Sequence, residues 1–142
     1  MDTIHFTVSQ TIRKPVAEVF HAIVDPEILS TYFTKSSSGP LVSGAKVIWS
    51  WPDGNAPESF FVENVIPNEK IEGHWKAWKV DYHVKTTFTF IAKEDDSTLV
   101  RIFEDGFRSD ELGRESSYGQ CSGWTHMLLC LKARLEFDID LR

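Results

Sequence analysis

The chain has little of what marks secreted, membrane-spanning or disulfide-stabilised proteins. Its 142 residues include only two cysteines. Cys121 and Cys130 lie about 180° apart around a predicted helix, so they cannot pair with each other. No apolar run approaches the ~20 residues that cross a bilayer, and the first residues lack the basic and apolar regions of a signal peptide. We therefore expect a cytoplasmic protein with free thiols and no membrane contact.

Positive charge is also scarce. Fifteen Lys and Arg face 21 Asp and Glu, and the formal net charge is −6. Proteins that bind nucleic acid need clustered Lys and Arg, so we expect no nucleic-acid partner. The length is typical of a single domain spanning 1–142, and it is sufficient to bury a core without disulfides or a metal.

Sequence motifs for catalysis or metal binding are missing. There is no Gly-rich phosphate loop, CxxC, HExxH or G-x-S-x-G pattern. His126 and Cys130 have an i, i+4 spacing that a metal can use, but no third ligand accompanies them. His74 and His83 bracket a strand turn and can come close to each other. We expect neither a metal nor another cofactor.

Aromatic residues are abundant instead. Ten Phe, five Trp and three Tyr make up 13% of the chain. Rings of this size either fill a hydrophobic core or form the walls of a small-molecule pocket. Trp49, Trp51, Trp75, Tyr118 and Trp124 are predicted on elements that surround one space, which favours a pocket.

Hydrophobic periodicity predicts six strands and three helices. Alternation of apolar and polar residues predicts strands at 3–13, 45–51, 59–66, 70–78, 83–92 and 98–105. Pro15 and Asp25-Pro26 indicate the starts of two short helices after the first strand. Apolar residues at steps of three and four predict a long helix over about 120–137. Residues 36–40 and 106–119 are predicted as loops, the second with room for a helical turn.

This order predicts an α+β fold. Consecutive strands joined by tight turns pair antiparallel, and one face of their sheet must be covered. Only the C-terminal helix is large enough to do so. We predict a curved six-stranded antiparallel sheet wrapped around this helix, with two short helices after the first strand and a pocket between sheet and helix.

Four segments carry a resemblance to a known family. They are Pro15-x-x-x-Val19-Phe20 with Asp25-Pro26, Val65-Ile66-Pro67-Asn68-Glu69-Lys70-Ile71 with Trp75, Glu104-Asp105-Gly106-Phe107, and Gly123-Trp124-x-x-x-Leu128-x-x-Leu131. In this order the chain resembles the helix-grip fold of the START-like (SRPBCC) superfamily. Within it, the chain is similar to the group named after the activator of heat-shock protein 90 ATPase. Many relatives have His where this chain has Glu104.

The resemblance implies three functions. The superfamily includes lipid and hormone binders, so the first is a module that binds a small apolar or aromatic molecule between sheet and helix. The second is a co-chaperone-like module that stimulates a heat-shock protein 90 ATPase by surface contact. The third is a cyclase or hydrolase that uses Glu104 with Tyr118 or His83. The resemblance leaves both a monomer and a homodimer open.

Ten residues are the candidates for the site. The predicted cavity residues are Trp49, Trp51, Phe61 (with its neighbour Phe60 as the alternative), Trp75, Phe88, Ile102, Glu104, Tyr118, Trp124 and Leu128. Glu104 is the one candidate catalytic residue, because it shares a strand face with Val100 and Ile102. A partly buried carboxyl has a raised pKa and can act as a general acid or base. The alternative is that Glu104 meets solvent or pairs with Arg108, Arg114 or Lys85.

Overall fold

The structure, a computed structural model, describes residues 2–142. The strands are β1 (Thr3–Ile12), β2 (Ser36–Ser37), β3 (Lys46–Ser50), β4 (Glu58–Ile66), β5 (Lys70–Lys76), β6 (His83–Ala92) and β7 (Thr98–Arg108). The helices are α1 (Val16–Val24), α2 (Pro26–Leu29) and α3 (Glu111–Phe137). None of these helices combines the length and hydropathy that crossing a bilayer requires.

All seven strands form one antiparallel sheet in the order β1-β7-β6-β5-β4-β3-β2. The α+β class and the long C-terminal helix are therefore confirmed. The sheet has seven strands rather than six, because Ser36 and Ser37 pair with Ser50 and Trp49 where a loop was predicted. Two residues are too few for alternation to reveal a strand.

The predicted starts of the two short helices are confirmed. Asp25 caps α2, since its carboxylate accepts a hydrogen bond from the Glu27 backbone N–H at 2.8 Å. Pro26 is the first residue of α2, where its missing N–H and fixed φ cost nothing. Pro15 directly precedes α1.

Helix α3 begins nine residues before the predicted start. Asp110 caps it by accepting a hydrogen bond from the Gly113 N–H at 2.7 Å. The side of these first turns that faces the protein carries Gly113, Ser116 and Ser117, all buried. Because those residues are small or polar, hydrophobic periodicity does not register them. The prediction of a loop over 106–119 is wrong for this reason, and also because β7 continues to Arg108.

The core lies between the inner face of the sheet and α3. Alternate residues of β3 to β7 point inward, and the most buried include Trp49, Phe60, Phe88 and Ile102. Each is at most 1% exposed. From the helix, Trp124 meets Phe88 edge to face at a centroid distance of 5.4 Å. The aromatic excess therefore contributes in part to ordinary core packing.

Candidate functional site

An open cleft of about 680 Å³ lies between the ends of β3 and β5 and the middle of α3. Four of the chain's five tryptophans line it: Trp51, Trp75, Trp78 and Trp124. We call it the tryptophan cleft. Its volume falls within the range of roughly 300–1,000 Å³ that is usual for small-molecule sites.

The inner wall of the tryptophan cleft is a continuous layer of rings. The centroid of Trp75 lies 5.5 Å from that of Trp124 and 6.4 Å from that of Trp51. Phe33 joins the layer at 5.2 Å from Trp51 and 5.6 Å from Trp124. Behind them, Trp49 is 1% exposed and 5.5 Å from Trp75. The structure thus brings together three predicted site tryptophans at the cleft and buries the fourth beneath them.

Glu104 lies behind this wall and is fully buried. Its Oε2 accepts hydrogen bonds from Trp75 Nε1 at 2.9 Å and from Thr86 Oγ1 at 2.6 Å. Its Oε1 accepts one from Gln120 Nε2 at 3.0 Å. The predicted alternative of solvent exposure or an ion pair is wrong, since all three partners are neutral donors. Lys85, one of the predicted partners, instead pairs with Glu72 at 3.2 Å.

Burial raises the pKa of Glu104 above its ordinary value. Hydrogen bonds from Thr86, Trp75 and Gln120 oppose this rise, because each favours the charged form. Glu104 does not line the tryptophan cleft. It holds the side chains that do, which makes it a positioning residue.

Carboxylates border the tryptophan cleft where it opens to solvent. Asp53 comes from the first half of the β3–β4 connection, and Glu58 is the first residue of β4. Asp53 accepts hydrogen bonds from the Asn55 backbone N–H at 3.0 Å and side-chain amide at 2.9 Å. Among the described lining residues Lys76 is the only cation, and its Nζ donates to the Val80 carbonyl at 3.2 Å.

The connection between β5 and β6 forms the outer wall of the tryptophan cleft and contacts α3. The Trp78 ring lies so close to Gly119 that a Cβ there would approach it to 2.6 Å. The Trp78 N–H donates to Gln120 Oε1 at 3.3 Å, and Lys79 pairs with Glu115 at 3.1 Å. Gln120 thus links Glu104 to this connection. Trp78 was not among the predicted site residues, because the Gly119 against which its ring packs lies on a part of α3 predicted as a loop.

Two predicted site residues lie elsewhere. Phe61 is on the outer face of the sheet, where it stacks on His74 at 5.1 Å, while its neighbour Phe60 points inward and is fully buried. A shift of one position in a strand changes the face of every side chain. Tyr118 is 69% exposed. It lies about 240° around α3 from Trp124, on the side away from the sheet.

Three further predicted site residues belong to the core. Phe88, Ile102 and Leu128 are at most 1% exposed and do not line the tryptophan cleft. Phe88 and Ile102 point inward from β6 and β7, and Leu128 contributes to the same core from α3.

The predicted histidine pairs are close in space. His74 and His83 are joined by a hydrogen bond between their Nδ1 atoms at 2.7 Å on the outer face of the sheet. His126 Nε2 lies 3.4 Å from Cys130 Sγ on α3. Within residues 2–142, no three His, Cys, Asp or Glu side chains cluster as metal ligands. Both pairs lie outside the lining of the tryptophan cleft.

Solved structures share this fold. The protein SSP2350 from Staphylococcus saprophyticus is 27% identical, with a TM-score of 0.83 over 98% of this chain and 96% of that one. DynU16, a protein in the dynemicin biosynthetic locus, is 22% identical with a TM-score of 0.81. That match covers 94% of this chain and 48% of DynU16. The Aha1 dimer from Colwellia psychrerythraea is 18% identical with a TM-score of 0.76, covering 94% and 97%.

Sequence comparison gives the family. No curated protein matches the chain by sequence. The family model described as activator of Hsp90 ATPase homolog 1-like protein matches residues 13–136, which include every element except β1 and the last residue of α3. The predicted resemblance and its helix-grip fold are thus confirmed, and the chain belongs to the family of activator of Hsp90 ATPase homolog 1-like proteins.

Proposed function

We propose that this protein binds a small molecule with an apolar or aromatic body in the tryptophan cleft. The observation that carries the proposal is the convergence of four tryptophans and Phe33 on one open volume of about 680 Å³. Small-molecule sites combine such walls with a few polar groups that fix orientation. Here Asn55, Gln120 and Ser122 supply neutral polar groups.

The energetics of the cleft favour a ligand with a flat apolar body. Trp51 is half-buried and Trp78 is 53% exposed, so the cleft presents large rings to water in one place. Each 100 Å² of apolar surface removed from water contributes roughly 2.5 kcal/mol. A ligand inserted between the Trp78 ring on one side and the rings of Trp51 and Trp75 on the other covers apolar surface of both sides. Part of this gain offsets the entropy lost on association.

The proposal assigns Glu104 a supporting role rather than a chemical one. A cyclase or hydrolase would need Glu104 and a second polar side chain to converge on bound substrate. Of the two predicted partners, His83 lies on the outer face of the sheet and Tyr118 on the outer side of α3. Glu104 keeps Trp75 and Gln120 in place, which preserves the shape of the cleft.

A neutral fluorescent probe tests the proposal. N-phenyl-1-naphthylamine carries no charge at neutral pH and brightens in apolar surroundings. We expect it to bind the wild-type protein at micromolar concentration and to bind Trp51→Ala about tenfold more weakly, because the substitution removes one wall. Fluorescence titration gives both dissociation constants.

Phe61→Ala is the matched control for Trp51→Ala. It also removes a partly buried ring, but from the outer face of the sheet. The probe should bind Phe61→Ala as it binds the wild type. Equal loss in both variants, or no binding to the wild type, would overturn the proposal.

The family match favours one second candidate, stimulation of a heat-shock protein 90 ATPase. On this account the chain raises the ATPase rate of the purified chaperone at micromolar concentration, and Trp51→Ala does so equally well. A rate that does not change on adding the chain would eliminate this candidate and leave the ligand-binding proposal untouched.

A further inference from the structure

The tryptophan cleft is walled by the side chain that attracts cations best. The face of an indole ring carries negative potential, and cations bind over Trp more strongly than over Tyr or Phe. Trp75 also donates its N–H to the carboxyl of Glu104 at 2.9 Å. When that carboxyl is ionised, the hydrogen bond polarises the indole and makes its face more negative.

Carboxyl groups surround these rings without cationic partners. Asp53 and Glu58 border the opening, and Glu104 lies behind the inner wall. Neither Asp53 nor Glu58 forms an ion pair with a Lys, Arg or His of residues 2–142. The three partners of Glu104 are neutral donors. The carboxylates at the opening, Asp53 and Glu58, are therefore not neutralised by an ion pair within residues 2–142.

Two lysines oppose this charge but do not cancel it. Lys79 Nζ lies 4.9 Å from the centroid of the Trp78 ring and pairs with Glu115. The ring faces left for a ligand cation are therefore those of Trp51, Trp75 and Trp124. Lys76 lines the tryptophan cleft, yet its Nζ donates to the Val80 carbonyl rather than to a carboxylate. The remaining lining side chains are neutral. The whole chain carries a net charge of −6, which adds a weaker attraction for cations from a distance.

From the tryptophan faces and the unpaired carboxyl groups, we propose that the ligand of the tryptophan cleft is an organic cation: an amine or quaternary ammonium group on an apolar or aromatic body. This inference rests on the proposed ligand-binding function and narrows its ligand class. Rings contribute the attraction for the apolar body and for the cation, while the carboxyl groups select against anionic ligands.

Two probes of the same shape separate charge from hydrophobicity. They are 3-hydroxyphenyltrimethylammonium, which carries a permanent positive charge, and 3-tert-butylphenol, its neutral isostere. Each is titrated into ¹⁵N-labelled protein, and the shifts of the indole N–H signals report binding at the tryptophans. We expect the cation to bind about tenfold more tightly than the neutral isostere.

The outcomes distinguish this inference from the function on which it rests. If the neutral isostere binds as tightly as the cation or more tightly, the inference is overturned while small-molecule binding stands. If neither probe shifts the indole signals at millimolar concentration, both fail.

A variant without the two carboxylates at the opening tests whether they cause the preference for the cationic probe. The double substitution Asp53→Asn with Glu58→Gln should cut the ratio of cation affinity to neutral-probe affinity several-fold. The control, Glu63→Gln with Glu94→Gln, removes the same charge from exposed positions outside the cleft. A preference that falls equally in both variants reflects net charge alone and overturns the site assignment. Because all four positions are solvent-accessible, the test does not depend on altering the buried Glu104.

Discussion

A buried carboxyl group, that of Glu104, holds the inner wall of the tryptophan cleft in place. It is shielded from solvent, and three hydrogen bonds connect it to β5, β6 and α3. Leaving such donors without a partner costs about 1–3 kcal/mol each. The hydrogen bonds of Glu104 therefore contribute both to the shape of the tryptophan cleft and to the stability of the fold.

Replacing Glu104 with Gln should change how stability depends on pH. Burial raises the pKa of Glu104 from its ordinary value of 4.5, so the folded state keeps this proton to higher pH than the unfolded state. Wild-type stability therefore falls as pH rises from about 4.5 through the folded-state pKa, by about 1.4 kcal/mol for each unit of the rise. Gln does not titrate. The stability advantage of the wild type over Glu104→Gln should shrink across this window, as measured by urea unfolding at a series of pH values.

The exposed Glu94→Gln serves as a control for the removal of one negative charge. An advantage over Glu104→Gln that stays constant, or that grows with pH, would contradict the account of Glu104 as a carboxyl group destabilised by burial when ionised.

Glu136 shows the opposite behaviour at the far end of α3. Its burial opposes ionisation, but hydrogen bonds from Lys132 and from the backbone and side chain of Arg13 outweigh it and lower the pKa to about 2. We expect Glu136→Gln to lower the free energy of unfolding by about 1 kcal/mol at neutral pH. Because the folded-state pKa is depressed, this contribution should fade as pH falls from 4.5 towards 2, measured by thermal unfolding. A loss that persists undiminished at pH 2 would contradict the assignment.

Individual site residues were predictable where alternation was clear. Trp75 and Trp124 stand at regular inward positions of a strand and a helix, and both line the cleft. Phe60 and Phe61 are adjacent aromatics, so period-two reasoning cannot tell which one faces inward. The predicted face of Glu104 is right, but its partners are not, because neutral donors on three elements leave no charge pattern in the sequence.

Among the elements, α3 shows most clearly how small residues position the site. Its first turns lie against the end of β7, where a Cβ on Gly113 would approach the Arg108 carbonyl oxygen to 1.8 Å. The next turns receive the Trp78 ring over Gly119. These small residues let α3 approach the end of β7 and the β5–β6 connection closely. Because they are not apolar in a periodic pattern, hydrophobic periodicity does not show where α3 begins. The Asp110 cap was the signal that could have revealed it.

Two glycine substitutions on α3 should have opposite effects on stability. Gly113→Ala forces backbone to move and should destabilise the fold by about 1–3 kcal/mol. Gly123→Ala meets nothing within 4 Å and should stabilise it by up to about 1 kcal/mol, since Ala favours a helix more than Gly does. Chemical denaturation of both variants gives the comparison. If Gly113→Ala is as stable as Gly123→Ala, the described start of α3 is wrong.

For the molecule as a whole, the cleft follows from where α3 crosses the sheet. The helix packs mainly on β1 and β7, at one side of the strand order. Rings from β3, β4 and β5 fill the space beside it, and the tryptophan cleft is what remains open at the end of these strands. The sequence predicted a helix covering a curved sheet. It could not predict this offset, because the position of a helix across a sheet depends on packing that no local pattern records.

One NMR measurement shows whether the tryptophan cleft binds a small molecule. Each of the five tryptophans contributes one indole N–H signal to a ¹⁵N–¹H spectrum. A library of small aromatic compounds, charged and neutral, is screened against these signals at millimolar concentration. We expect some compounds to shift the signals of Trp51, Trp75, Trp78 and Trp124 more than that of the core residue Trp49. A library without such compounds, or shifts confined to residues outside the cleft, would contradict ligand binding in the tryptophan cleft.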